Sequence, residues 1–215
     1  MPKYSKGEEI FNMVSHIVGG GLGVIALLFC VIVAAYSQNV WGIAGGLVYG
    51  FSVITLFTMS SLYHGLRPGT IAKRIFRTLD HCTIFILIAG TYTPILLGRF
   101  REVYPTDAWI MLSIIWGIAA LGILLNVINL NKFLKLTLSF YLLMGWIIIF
   151  MIDRLVSVLG FAFFTLILVG GIFYTIGVAF YAIGGRKKYM HSVFHLFVVV
   201  ASILHSIAIV TFVMP

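Results

Sequence analysis

The sequence predicts an all-α integral membrane protein: a bundle of seven transmembrane helices, N-terminus in the cytoplasm and C-terminus outside. Three observations predict it. Hydrophobic residues make up 61% of the 215-residue chain and charged residues only 9%, where a soluble domain carries about 25% charge. Long apolar runs recur along the whole length, each near the ~20 residues that cross a bilayer as a helix. Basic residues fall unevenly on the segments between those runs. The composition excludes a soluble globular enzyme and a disordered tail. The net charge of +8 is spread thinly through an apolar chain rather than massed on one face, which excludes a nucleic-acid-binding module.

The first span is predicted over Val14–Tyr36. It follows Lys3, Lys6, Glu8 and Glu9 without a small-residue cleavage site, so it reads as a helix that stays and not as a secretory signal. Ser37-Gln38-Asn39 makes a tight turn into Val40–His64. A basic loop from Arg67 to Arg77 follows, and its Ile71–Arg77 stretch has the amphipathic character of a segment lying on the anionic inner leaflet. The third span is Asp80–Leu97, kinked by Pro94, which lacks a backbone donor. After the Arg99–Asp107 loop come Ala108–Ile128, a short turn through Asn129 and Lys132, Phe133–Ile152, a turn at Asp153-Arg154, Val156–Ile183, a basic turn from Gly184 to Lys188, and Met190–Val213. The runs are too long and continuous for barrel strands. Together they fill residues 1–215 as one transmembrane domain. Gly42, Gly46 and Gly50 recur every four residues, a small-residue face that lets helices approach closely. Cys30 and Cys82 lie at different depths in this arrangement and are not placed to form a disulfide.

The loop charges set the orientation. One side collects Lys3, Lys6, Arg67, Lys73, Arg74, Arg77, Lys132, Lys135, Arg186, Lys187 and Lys188; the other holds only Arg99, Arg101 and Arg154. The basic side is cytoplasmic by the positive-inside rule. The chain is therefore expected in the cell's inner (plasma) membrane, as a multi-pass protein.

Ionisable groups at membrane depth need an explanation. His191 and His195 are four apart and share one helix face, a familiar half of a zinc site; alone, the pair reads equally well as two interfacial histidines. The topology adds to it. His64 ends the second span, Asp80 begins the third, and His191 and His195 begin the seventh, all on the cytoplasmic side. Three imidazoles with a carboxylate or water form a tetrahedral zinc site, and three protein ligands plus water is the catalytic pattern. Asp80 either ligates directly or holds the water, and it also suits the N-cap of the third span. Ser60, one turn before His64, faces the water or a substrate carbonyl, or else bonds back to a helix carbonyl. His81 points about 100° away from Asp80. His16 enters from the same side, where with Ser15 and Glu9 it supports the site or meets lipid headgroups. His205 lies in the outer half.

These residues carry a resemblance. Ser60-x-x-x-His64, Asp80 within Thr78-Leu79-Asp80-His81, and His191-x-x-x-His195 resemble the signature of the progestin and AdipoQ receptor (PAQR) family. Glu8 to Asn12 leading into Ser15-His16, Leu79 to Cys82, Ala89 to Pro94, and Gly145-Trp146 look like its bacterial hemolysin III branch. The resemblance implies a seven-helix bundle with zinc near the cytoplasmic face, His64, His191 and His195 as ligands, Asp80 acting through or beside the bound water, and Ser60 as the associated polar residue. The wider superfamily includes alkaline ceramidases, which implies zinc-dependent hydrolysis of a lipid amide, with a ceramide-like or fatty-acyl lipid as partner. The chain lacks the long cytoplasmic N-terminal domain of the adiponectin receptors, which argues against hormone reception. Two other functions follow from the same features: a non-enzymatic membrane-homeostasis or sensor protein with structural zinc, and a pore-forming cytolysin or channel.

Overall fold

The structure, a computed structural model, describes residues 4–185 and 187–215, and every element in it is helical. Lys3 and Arg186, two of the charges expected on the cytoplasmic side, lie outside the described residues. Among the described residues five helical stretches are long and apolar enough to cross a membrane: Lys6–Tyr36, Val40–Gly65, Ile71–Val103, Pro105–Gly184 and Met190–Val213. Large apolar side chains such as Phe29, Phe51, Val127 and Phe161 are exposed on the outside of the bundle, where lipid rather than water is their natural neighbour.

Helix α1 (Lys6–Tyr36) starts eight residues before the predicted span. Ser5 and Glu8 form a reciprocal capping box, satisfying two backbone donors that would otherwise face nothing. Asn39 caps α2 (Val40–Gly65) through the Gly42 N–H. A methyl group at Gly50 would meet Leu27 Cβ at 2.5 Å, and one at Gly46 would meet Cys30 Cβ at 2.8 Å. The predicted small-residue face is thus where α2 presses on α1. Cys30 and Cys82 are buried free thiols.

Helix α3 (Ile71–Ile95) corrects two expectations. Thr70 caps it by accepting the Lys73 N–H, so the basic stretch Ile71–Arg77 is the helix's first two turns and not a loop on the leaflet. Asp80 therefore sits inside the helix, and the N-cap role is Thr70's. The apolar pattern hid this start because Lys73 and Arg77 look solvated but are buried: Lys73 Nζ bonds Glu9 and Arg77 Nη1 bonds Asn131. Past Pro94 the helix loosens into a π turn, Leu96–Phe100, with non-helical backbone at Gly98, and then a single turn α4 (Arg101–Val103).

The 80-residue stretch holds α5 (Pro105–Trp146), a 3-10 segment Ile147–Met151 and α6 (Ile152–Gly184). A straight helix of that length would run about 120 Å, and its own hydrogen bonds rule that out. Asn126 Nδ2 reaches Tyr141 Oη at 3.3 Å, although a straight helix would hold those residues about 22 Å apart. The reversal is at Asn129, which leaves helical geometry and caps the next segment through the Lys132 N–H, at the predicted turn. Trp146 Nε1 donates to Thr175 Oγ1 at 3.0 Å, so the chain folds back again before α6 ends. Here the predicted turn at Asp153-Arg154 is corrected: both residues are helical, and the break is at Gly160, whose φ of 85° suits glycine. Helix α7 (Met190–Ala208) packs along α6 and α1 and ends in a π turn, Ile209–Val213.

These contacts define two ends. Asn39 bonds the Met214 carbonyl, and Asp107 pairs with Arg154, at one end. The N-terminal turn of α1, the C-terminus of α2, the start of α3 and the start of α7 meet at the other.

Candidate metal centre

His64 arrives on the last turn of α2, and His191 and His195 on successive turns at the start of α7. All three are buried, and one ring nitrogen from each lies within 4.8 Å of the others. His191 Nε2 and His195 Nε2 are 3.0 Å apart. Two nitrogens bound tetrahedrally to zinc at about 2.0–2.1 Å would be roughly 3.3 Å apart, so the pair is already near ligand spacing. His64 Nδ1 contacts Glu9 Oε2 at 2.7 Å, while its Nε2 has no partner among the described residues. A buried ring nitrogen left unpaired costs about 1–3 kcal/mol. The donor set is therefore three nitrogens with lone pairs to give in a place water reaches poorly, and it fits an imidazole-binding divalent ion.

Asp80, Ser60, His191 and His195 line one cavity of about 160 Å³. The Asp80 side chain is 16% exposed, with Oδ2 3.6 Å from His81 Nδ1. Ser60 is buried; it is the neighbouring Ser61 that bonds back to a helix carbonyl, that of Phe57. His81 lines the same cavity but stands outside the three-histidine cluster, bonded to the Arg77 carbonyl and to Tyr181 Oη. From the histidines the cavity continues between apolar walls (Leu87, Ile88, Leu142, Phe164 and Val198) as far as His205, about 21 Å along α7 from His191.

Two neighbours exceed what the sequence suggested. His16 is not at a lipid headgroup: it is 3% exposed, its ring centroid is 3.8 Å from that of His195, and neither ring nitrogen has a partner among the described residues. Tyr4 stacks on His191, with ring centroids 4.7 Å apart and planes 20° from parallel. Burial raises its phenol well above the ordinary value, so it stays protonated. His16 carried a signal in the sequence, a histidine expected to enter the first span from the same side as the other three. Tyr4 and Lys73 carried none, because an aromatic in a tail and a lysine in a basic run look like surface residues.

Comparison with known proteins identifies the family of the chain. The haemolysin-III related family model matches residues 4–206. A hemolysin-3 homolog of Bacillus subtilis (strain 168) is 36% identical over 191 residues, 89% of this chain and 87% of its own. Hemolysin-3 of Bacillus cereus is 35% identical over 208 residues, 97% of this chain and 93% of its own. The human monocyte to macrophage differentiation factor is 29% identical over 180 residues, 80% of this chain and 72% of its own. With its long apolar helices, the chain is a multi-pass protein of the plasma membrane, and it belongs to the haemolysin-III related family, within the PAQR group.

Proposed function

We propose that the protein crosses the membrane seven times with its N-terminus in the cytoplasm, and that it holds zinc near the cytoplasmic face to hydrolyse the amide bond of a membrane lipid. The observation that carries the reading is the cluster of three buried imidazoles, His64, His191 and His195, two of which, His191 and His195, line a cavity whose far walls are apolar. A seven-pass path is supported by the chain reversals on either side of Trp146. The orientation is supported by Arg67, Lys73, Arg74, Arg77, Lys132 and Lys135, which belong to the histidine end, against Arg99, Arg101 and Arg154 at the other.

In this reading His64, His191 and His195 hold the ion. Zinc, when bound, supplies a water of lowered pKa and polarises a carbonyl. The Asp80 carboxylate accepts the water's proton and later delivers it to the departing amine nitrogen. The Ser60 hydroxyl donates to the lipid carbonyl and fixes its direction. Leu87, Ile88, Leu142 and Val198 take the hydrocarbon chain and exclude bulk water from the reacting end. A ceramide-like or other fatty-acyl amide matches both halves of the cavity. The test is fatty-acid release from such lipids by the purified, zinc-loaded protein in detergent or liposomes. Release should fall at least a hundredfold in Asp80→Asn, about the cost of losing a general base. A zinc-loaded sample inactive across lipid amides would overturn the reading.

A second reading has its own observation. His64 and the His191–His195 pair come from helices far apart in the chain, so one ion ties α2 to α7. A structural ion of that kind suits a membrane sensor, and it predicts metal-dependent stability without lipid turnover.

A further inference from the structure

A neutral imidazole binds metal through the nitrogen that carries no proton, so a ligand histidine needs its tautomer chosen for it. At His64 the choice is made from α1. Glu9 Oε2 lies 2.7 Å from His64 Nδ1. Asn12 Nδ2 also approaches that nitrogen, at 3.5 Å, but an amide N–H is a donor and cannot accept a ring proton. We propose that Glu9 is the positioning residue of the metal centre: its carboxylate holds His64 with the proton on Nδ1 and so presents Nε2 to the ion.

The carboxylate is itself held. Its other oxygen accepts from Lys73 Nζ at 2.7 Å, and Lys73 also donates to the Leu66 carbonyl at 3.1 Å, two residues past His64. The ammonium lies over the Tyr63 ring as well, 4.9 Å from its centroid. Glu9 and Lys73 are 14% and 5% exposed at their side chains. An ion pair buried to that degree contributes little net stability, but it fixes geometry. Three helices converge on it: α1 brings the carboxylate, α3 the ammonium, and α2 the imidazole with the carbonyl that anchors the ammonium. The adjacent Glu8 accepts the Tyr189 N–H at 2.7 Å, docking the same turn of α1 onto the start of α7. Glu9 therefore stands on an element fastened to both helices that supply ligands.

The inference rests on the metal reading above, and the test separates the two. Full-length wild type, Glu9→Gln and the double variant Glu9→Gln/Lys73→Met are purified in detergent, stripped, and titrated with zinc and with cobalt(II) against a competing chelator. Cobalt absorption and metal-free thermal unfolding are recorded for each. The double variant removes the ammonium together with its partner, so no unpaired charge is left to unfold it. Both variants should lose about 10- to 100-fold in metal affinity, the usual cost of removing a carboxylate behind a ligand histidine, and the cobalt bands should shift. Wild-type affinity with an unshifted cobalt spectrum in the folded double variant overturns the role of Glu9. Failure of wild type to bind either metal overturns the metal reading, and the role of Glu9 with it.

Discussion

Helix α7 carries histidines at both ends, and the two ends treat them differently. His205 is buried and its Nε2 bonds the Ile167 carbonyl at 3.1 Å. Around it Tyr49 Oη pairs with Ser206 Oγ and Tyr174 Oη with Ser202 Oγ, each at 2.7 Å. The polar groups of that half are answered by the protein. At the other end His16 has both ring nitrogens without a partner among the described residues, His64 has Nε2, and His191 and His195 each have Nδ1. Native interiors rarely leave so many polar atoms unanswered in one place. The difference teaches that the His205 half answers its polar groups with the protein's own hydrogen bonds, while the half at the start of α7 gathers buried ring nitrogens that the described residues leave unpaired.

The strongest way to break the comparison is to remove imidazoles from each end in turn. His191→Ala/His195→Ala should take the zinc content of the purified protein from about one per chain to near none, read by elemental analysis. His205→Ala should leave it unchanged. Chelation should lower the melting temperature of wild type but not of the double variant. The shift should grow with free metal as expected for a ligand that binds only the folded state, about 2.7 kcal/mol at a hundred times the dissociation constant. Zinc retained in the double variant would mean that His191 and His195 do not hold the ion.

Next in size is Gly170→Ala. A methyl group there would meet His205 Cδ2 at 2.4 Å and the Ala201 carbonyl at 3.3 Å, so the His205 ring or α7 must shift. Overpacking of that kind costs about 1–3 kcal/mol. Denaturant melts should show the loss while metal content and affinity hold. A variant that lost metal as well would show that packing in the His205 half sets the spacing of His191 and His195.

The contrast between the ends was partly legible in the sequence, and what hid the rest is physical. The placing of His191 and His195 on one face of α7 follows from helical spacing, a local quantity. His64 joins them because an apolar run has a countable length. The start of α3 was misread because Lys73 and Arg77 find partners, Glu9 and Asn131, more than fifty residues away, and hydropathy cannot see a distant partner. The turn near Asp153 was misplaced for the opposite reason. Two charges look like a loop, yet Arg154 stays in the helix by pairing with Asp107, and one glycine with positive φ makes the break. His16 looked peripheral because only the packing of α1 against α7 sets its ring on that of His195.

The smallest expected effect sharpens the comparison most. Tyr49→Phe deletes a hydroxyl that bridges α2 to Ser206, but Ser206 Oγ keeps its bond to the Ser202 carbonyl at 2.8 Å. No buried group is orphaned, so the loss should be about 0.5–1.5 kcal/mol, the net worth of one hydrogen bond. Zinc affinity should not move, because Tyr49 lies about four turns of α2 from His64. Two measurements on one sample decide it: a denaturant melt and a chelator competition. A loss of metal affinity would mean that the His205 half transmits strain to the metal-site histidines through α2, and the two ends would then have to be treated as one coupled device. Unchanged affinity beside a small stability loss leaves α7 with a structural end and a ligand-binding end that vary independently.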